Sequence, residues 1–219
     1  MKRISKMKFT KSTIAFVFIA SIALVLTSSQ RGKVDDGLKI GNKMPLPTES
    51  MVGSDGENYT LADLKGEKGL IVVFSCNTCP FVVGSESFAG WEGQYNSLYA
   101  KALENDMGMV LVNSNAAKRD GVDSQEEMRT HAESLGYTMP YVIDKDAKFA
   151  DAVGAKTTPH VYVFDAASKL IYKGSIDNSW DTKKEKLETY LIDVMDAVGS
   201  GNKVSNESTT PRGCSIKRN

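Results

Sequence analysis

The sequence is poor in metal-binding side chains and has no net charge. It contains three cysteines and two histidines among 219 residues. Its 27 basic and 27 acidic side chains cancel, which gives no support for nucleic-acid binding. A structural zinc site takes about four Cys or His ligands. Outside one Cys-x-x-Cys pair, the candidates Cys214, His131 and His160 stand singly, so we predict neither a bound metal nor a cofactor.

An apolar run long enough for a membrane helix is missing at the N-terminus. Residues 14–26 are apolar-rich and follow five basic residues between Lys2 and Lys11. This run is shorter than the roughly 20 residues of a membrane helix but suits a secretory signal peptide. We therefore predict a signal peptide over residues 1–29 and a periplasmic or secreted protein with no stable membrane insertion after cleavage. The alternative is an uncleaved membrane anchor.

The most informative stretch is an apolar run that ends at two cysteines. Residues 70–74 are followed by Cys76-Asn-Thr-Cys79 and then by Pro80 and a helical pattern. The pattern predicts a buried strand and then a helix with Cys76 in its first turn. Residues three apart on a helix have Cβ atoms about 5–6 Å apart, which suits the geometry of a disulfide. Such a pair can open and close with little backbone movement, as a reversible redox centre requires.

The predicted helix terminus makes the two sulfurs unequal. Its free N–H groups and partial positive charge favour a thiolate, and cysteines at such sites have pKa values of roughly 3.5–7.5. We predict that Cys76, at the exposed end, is the nucleophile and that Cys79 is the resolving thiol. A structural disulfide here would close a very short loop and add little stability, so we prefer the redox interpretation.

Periodicity and turn signals divide the remaining chain into a linker, one domain and a tail. Residues 30–50 form a polar arm, residues 51–199 the domain, and residues 200–219 a flexible tail carrying Cys214. The predicted elements are a hairpin around residues 53–56, a short helix at 60–65, strands at 70–74, 107–113, 141–143, 160–164 and 169–173, and helices at 80–105, 124–135, 144–153 and 181–198. This order predicts an α/β fold in which helices flank both faces of a central mixed sheet.

The apolar stripes of the predicted helices also identify core residues. Leu103 and Leu187 fall on these stripes and are expected to be buried. Trp91 and Trp180 are interpreted as packing residues, and His131 is expected to face solvent.

Three motifs in chain order resemble the thioredoxin-like superfamily, and more narrowly its secreted or periplasmic redoxin-type members. They are Cys76-Asn-Thr-Cys79-Pro80-Phe81, Thr158-Pro159-His160 and Gly213-Cys214-Ser215-Ile216-Lys217. The resemblance implies a thioredoxin-like three-layer sandwich from about residue 50 to the end. It also implies a cis-proline at Pro159 facing the cysteines. Thr158 would then offer its backbone to an extended substrate, as in strand addition.

Two departures from related families concern the chemistry. Thioredoxin has a buried carboxylate six residues before its first cysteine, whereas Leu70 occupies that position here. A proton acceptor for Cys79 is therefore missing or supplied elsewhere, and both a reductase and an oxidase direction remain open. The peroxiredoxin pattern Pro-x-x-x-[Ser/Thr]-x-x-Cys is absent, since Val73 and Gly69 stand at its positions before Cys76.

The sequence thus predicts a thiol–disulfide oxidoreductase outside the cytosol that acts through a mixed disulfide. Its partners would be protein or small-molecule thiols and disulfides and an upstream reductant or oxidant. The alternatives are a copper-binding thioredoxin-fold protein that uses the cysteines and His160, a thiol peroxidase, and a binding scaffold without redox activity. Cys214 is either a third redox thiol or an unreactive tail cysteine.

Overall fold

A mixed β-sheet forms the centre of the structure, a computed structural model that describes residues 37–219. The predicted signal peptide and the first residues of the arm lie outside the described residues. The strands are β1 Met51–Val52, β2 Asn58–Tyr59, β3 Gly69–Phe74, β4 Met107–Asn113, β5 Tyr141–Ile143, β6 Thr157–Thr158, β7 His160–Asp165, β8 Leu170–Gly174 and β9 Cys214–Ser215. The α-helices are α1 Pro80–Val83, α2 Tyr95–Glu104, α3 Gln125–Ser134, α4 Lys148–Val153 and α5 Tyr190–Gly199.

The central sheet has the strand order β5-β4-β3-β7-β8. β3 pairs in parallel with β4, and β4 with β5, whereas β7 is antiparallel to both β3 and β8. Within residues 37–219, the pairs β1–β2 and β6–β9 form two smaller sheets. This arrangement confirms the predicted α/β class and each of the predicted sheet strands.

Strand β3 is buried along its whole length because both faces of the sheet are covered. Ile71 and Val73 pack into one hydrophobic cluster with Trp91. The alternate residues of the strand belong to a second cluster on the opposite face, which also contains Phe149. Alternation of side chains across a strand accounts for this division. The continuous apolar run in the sequence is therefore a central strand that is buried on both faces, as predicted.

The helix predicted over residues 80–105 is wrong in its middle part. Its apolar stripe is real, but α1 ends at Val83 and α2 begins at Tyr95, with a loop and a 3₁₀ turn between them. Gly84 and Gly90 have φ angles of 98° and 78°, outside the range of a right-handed helix. A Cβ atom on Gly90 would lie 2.3 Å from the Val82 carbonyl oxygen, so the loop packs closely against α1.

Two other predicted helical segments are also wrong. Residues 61–64 form a turn, although the Thr60 hydroxyl caps it by accepting a hydrogen bond from the Asp63 backbone N–H at 3.1 Å. The last helix begins at Tyr190 instead of Asp181. Asn178 explains this difference, because its side chain donates to the Lys186 carbonyl and accepts from the Glu188 N–H and so holds the segment as a loop.

Three side-chain predictions fail for related reasons. Leu103 and Leu187 are 53% and 57% exposed, since the first lies near the end of α2 and the second lies in the loop before α5. His131 does not simply face solvent, because its Nε2 lies 2.8 Å from Glu92 Oε2 in a half-buried contact. Glu92 lies 39 residues before His131 in the sequence, so helical periodicity alone could not reveal the contact.

The predicted flexible tail instead contributes a strand to the folded domain. β9 pairs antiparallel with β6, with Thr158 opposite Cys214 and Thr157 opposite Ser215. The side chain of Ile216 is buried, and the Ala117 N–H donates to the Lys217 carbonyl at 2.9 Å. Within the described part of the chain, no helix is both long and apolar enough to span a membrane.

Candidate active site

The two neighbouring cysteines lie where β3 gives way to α1. The Ser75 N–H continues the sheet pattern by donating to the Val112 carbonyl at 2.9 Å. Cys79 is the N-cap residue of α1, and Cys76 lies in the loop before it. The prediction that Cys76 sits in the first helical turn is therefore wrong. Because α1 has only four residues, its macrodipole is a weak basis for Cys76 acidity.

Both sulfurs are covered by other parts of the chain. Cys76 and Cys79 are each 3% exposed, whereas Cys214 is partly exposed. All three are free cysteines. The expectation of an exposed Cys76 is thus not met, because residues of β6 and β9 cover the pair.

Thr158 contacts both sulfurs of the pair. Its hydroxyl oxygen lies 3.2 Å from Cys76 Sγ, and its carbonyl oxygen accepts a hydrogen bond from the Cys79 thiol at 3.0 Å. The Thr158–Pro159 peptide bond is cis, as the resemblance implies. The structure therefore brings Thr158 and Pro159 to the cysteine pair from about 80 residues away in the sequence.

Two kinds of contact act on the protonation of Cys79: its thiol and backbone neighbours favour a thiolate, whereas the Thr158 carbonyl oxygen, 3.0 Å from its Sγ, favours the protonated thiol. Contact with the Cys76 thiol lowers the pKa of Cys79 to about 5, although burial acts in the opposite direction. Hydrogen bonds from Cys214 and Phe81 lower this pKa further. Contact with Cys79, followed by burial, raises the pKa of Cys76. The protonation of each sulfur therefore depends on the other. The direction of the two shifts is the reverse of the sequence-based expectation, and its largest cause is the contact between the two thiols.

A buried carboxylate absent from the sequence-based predictions lies next to this centre. Asp123 Oδ1 accepts hydrogen bonds from the Asn77 N–H at 3.0 Å and from Asn113 Nδ2 at 2.8 Å, and its Oδ2 accepts from Asn115 Nδ2 at 2.9 Å. Its negative charge is a minor cause of the raised pKa of Cys76. Leu70 packs in the cluster on the opposite face. Asp123 is therefore a carboxylate near the cysteines that enters from a different element than in thioredoxin.

The loop between the two cysteines is fixed by further polar contacts. Asn77 Nδ2 donates to the Val122 carbonyl at 2.9 Å, and the Tyr141 hydroxyl donates to Asn77 Oδ1 at 2.9 Å. The sequence offered one weak signal for this arrangement, a polar loop that follows a buried strand. It could not show that the loop folds over the cysteines.

His160 lies on the opposite face of the sheet from the cysteines. Its ring centroid is 4.6 Å from that of Tyr162, in the second hydrophobic cluster. Burial and, secondarily, the charges of Lys173 and Lys156 lower the pKa of His160 to about 3. Among residues 37–219, no group of three or more His, Cys, Asp or Glu residues could hold a metal ion. The structure therefore does not bring His160 together with Cys76 and Cys79 as a copper site would require.

A small cavity of about 100 Å³ opens beside the sulfurs. It is lined by Cys76, Thr78, Cys79, Asn115, Lys118, Thr158, Cys214, Ser215 and Lys217. Two of these side chains are cationic, and the tail supplies a third of the lining. The arrangement can support thiol–disulfide exchange, since three cysteines and three hydroxyl-bearing side chains line one cavity.

Comparison with known proteins gives matches at the level of family and fold. A family model described as Redoxin matches residues 39–191. The chain is 29% identical to an uncharacterized conserved protein from Geobacillus kaustophilus, covering 84% of this chain and 94% of that chain with a TM-score of 0.74. It is 26% identical to a hypothetical protein from Sinorhizobium meliloti 1021, covering 84% and 97%, with a TM-score of 0.71.

A more distant structure shares the fold alone. A PrxQ mutant from Xylella fastidiosa is 16% identical, covers 75% of this chain and 97% of that chain, and has a TM-score of 0.53. No curated protein matches the sequence. The family match covers most of the chain and agrees with the observed mixed sheet, so this chain belongs to the redoxin family of thioredoxin-like proteins.

Proposed function

We propose that this protein is a thiol–disulfide oxidoreductase that acts outside the cytosol, with Cys76 and Cys79 as its redox pair. The observation that carries the proposal is a pair of free thiols in contact with each other and with Thr158, beside the Thr158–Pro159 cis peptide bond. Membership in the redoxin family supports a redox enzyme in general terms. The basic and apolar N-terminal sequence supports export from the cytosol. In an oxidising compartment, two neighbouring thiols become a disulfide unless a reductant keeps them reduced.

The contact between the two thiols suggests how the pair reacts. Cys76 is proposed as the nucleophile, and its proton passes to the Cys79 thiolate when a substrate disulfide approaches. The Cys76 thiolate attacks one substrate sulfur, and the other substrate sulfur leaves as a thiolate that takes up the proton from Cys79. The Cys79 thiolate then attacks Cys76 Sγ, which forms the Cys76–Cys79 disulfide and releases the remaining substrate sulfur as a thiolate. In the oxidase direction, the same steps run in reverse from a substrate thiol.

Substrate access depends on the edge formed by Thr157 and Thr158. An extended substrate would pair with this edge in the manner of strand addition, and β9 occupies the edge in the structure. We infer that substrates with an extended segment displace β9, and that smaller thiols or disulfides enter through the adjoining cavity. The proposed partners are protein or small-molecule thiols and disulfides together with an upstream reductant or oxidant.

Trapping variants provide the direct test. Cys79→Ala should accumulate a mixed disulfide between Cys76 and a disulfide-bonded protein such as insulin, visible on a non-reducing gel. Cys76→Ala should accumulate none, and Cys214→Ser serves as the matched control that retains the pair. Accumulation in Cys76→Ala alone would assign the attack to Cys79. An absence of mixed disulfides in every variant, with no insulin reduction or thiol oxidation by the wild type, would contradict the proposal.

The reduction potential of the Cys76–Cys79 disulfide will assign the direction of the reaction. Enzymes with this motif span roughly −270 to −120 mV, from reductants to disulfide donors. No observation specifically favours peroxidase or copper-binding activity, since Val73 replaces the peroxiredoxin Ser/Thr position and His160 packs on the other face. A double Cys76→Ser and Cys79→Ser variant that retained the biological function would indicate a scaffold.

A further inference from the structure

The tail holds a third thiol against the redox pair. The backbone N–H of Cys214 donates to Cys79 Sγ at 3.3 Å, and strand pairing sets Cys214 directly opposite Thr158. Thr158 in turn contacts both Cys76 and Cys79. Cys214 therefore approaches the pair from the same edge at which an extended substrate would pair.

The tail is anchored on both sides of this cysteine. Before it, the Arg212 guanidinium lies 5.4 Å from the Phe81 ring centroid and 4.9 Å from that of Trp180. After it, the Ile216 N–H donates to the Lys156 carbonyl at 2.9 Å, and the Lys217 N–H donates to Asn115 Oδ1 at 2.8 Å. The position of Cys214 is therefore set by contacts that do not involve its own side chain.

Close approach of the tail also depends on the residue before Cys214. A Cβ atom on Gly213 would lie 2.1 Å from the Thr158 carbonyl oxygen, so a larger residue could not be placed there without displacing the strand. The sequence Gly213-Cys214 thus brings one specific thiol next to Cys79.

We propose that Cys214 is a third catalytic thiol that exchanges with the Cys76–Cys79 disulfide and carries the oxidised bond to the surface. This inference rests on the proposed oxidoreductase function, which supplies the oxidised pair. The Cys214 thiolate attacks Cys79 Sγ, the Cys79–Cys214 bond forms, and the Cys76–Cys79 bond breaks. Cys76 leaves as a thiolate and takes up the proton that Cys214 lost, so the exchange neither consumes nor releases electrons.

The electrostatics of the site fit this order of events. Burial, and then contact with Cys79, raise the pKa of Cys214 to about 11 in the reduced protein, while Lys217 acts in the opposite direction. Oxidation of the pair removes the negative charge of Cys79, and with it one cause of the raised pKa. Cys214 is consequently easier to ionise when a disulfide is present to attack. Because Cys214 is more exposed than either partner, an external thiol reaches the Cys79–Cys214 bond more readily.

The test compares which disulfides form in the purified full chain. Reduced wild type and variants are treated with a limiting amount of diamide, quenched in acid, alkylated and mapped by mass spectrometry. Cys76→Ser should form an intramolecular Cys79–Cys214 disulfide. The matched control adds Cys214→Ser and Ser215→Cys to Cys76→Ser, which moves the thiol one residue along β9 and so to the opposite face of the strand. This control should form its disulfide at least tenfold more slowly.

The wild type supplies a second measurement that needs no substitution at the pair. Its map should contain both Cys76–Cys79 and Cys79–Cys214 after oxidation. Equal rates in Cys76→Ser and the moved-thiol control, or a wild-type map without Cys79–Cys214, would overturn the inference. If the wild type then still forms Cys76–Cys79 and turns over insulin, only the third thiol is refuted. If it does neither, the proposed function fails as well.

Discussion

The substitution Asp123→Asn should weaken the whole polar network beneath the redox pair. The carboxylate accepts three hydrogen bonds, from the Asn77 N–H and from the side-chain amides of Asn113 and Asn115. An amide at position 123 keeps an acceptor for the first two, but it turns its own NH₂ group toward the NH₂ group of Asn115. Asn115 cannot simply rotate, because its Oδ1 accepts from the Lys217 N–H of the tail at 2.8 Å.

The cost follows from this inventory of hydrogen bonds. An unsatisfied buried donor costs about 1–3 kcal/mol, and hydrogen bonds to a charged group are worth roughly 1 kcal/mol more than neutral ones. One lost and two weakened bonds therefore give a loss of about 3–5 kcal/mol in the free energy of unfolding. For a domain of this size, such a loss lowers Tm by about 6–20 °C.

Thermal unfolding of the reduced protein, followed by circular dichroism, measures this loss. Asp120→Asn is the matched control, since it removes the same charge from an exposed position in the same loop, where a substitution typically changes stability by less than about 0.5 kcal/mol. The variant should also make Cys214 more reactive toward alkylating reagents, because the Asn115 side chain that anchors the tail loses its own hydrogen bond to position 123. A Tm for Asp123→Asn equal to that of Asp120→Asn would refute the reasoning.

Three further predictions concern the thiols, the tail and the buried histidine. The thiolate absorbance of the reduced protein should disappear as pH falls through about 5, the lowered pKa of Cys79. A midpoint near the ordinary thiol pKa of about 8.5 would contradict the assignment, and so would a titration in Cys79→Ser that is the same as in the wild type. Gly213→Ala should displace β9 and raise the alkylation rate of Cys79 several-fold, whereas Gly93→Ala, with open space around its Cβ position, should leave the rate unchanged. The folded state keeps His160 neutral down to a pKa of about 3, while the unfolded chain takes up a proton near pH 6.5. The free energy of unfolding should therefore fall with decreasing pH across that interval, by up to about 1.4 kcal/mol per pH unit. In His160→Phe, the free energy of unfolding measured by urea titration should change less with pH.

The central part of the fold could be predicted because its signals are local. The apolar run of β3, the capping box at Ser124 and the turn around residues 53–56 each depend on residues close in sequence. In the structure, Ser124 Oγ accepts from the Glu127 N–H at 3.2 Å, as the capping pattern requires. The register of β3 between β4 and β7 then places the cysteines and the Thr158 loop at the same end of the sheet.

The parts that could not be predicted depend on contacts between distant segments. Periodicity carried the helical pattern across Gly84 and Gly90, although their positive φ angles interrupt it. In the sequence, Asp123 is an ordinary residue of a polar loop. Its role depends on the hydrogen bond from the Asn77 N–H, which comes from 46 residues away. The two residues of β9 are too few to show any strand pattern, so their pairing with β6 appears only in three dimensions. The lowered pKa of Cys79 follows from its contacts with Cys76 and Cys214, which local sequence patterns could not reveal.

The docked tail changes how the chemistry of the site must be understood. A Cys-x-x-Cys pair that was open to solvent would react with any disulfide that reached it, and its selectivity would depend on the substrate surface. Here Cys76 and Cys79 are covered by β9, and the edge that a substrate strand would use is already paired. Under the proposed function, a substrate strand would compete with β9, which is part of the same chain and is therefore present at high effective concentration. Because that strand also brings Cys214 to Cys79, the segment that limits access is the one that can accept the oxidised bond, and the two effects should be altered together by any change that loosens the tail.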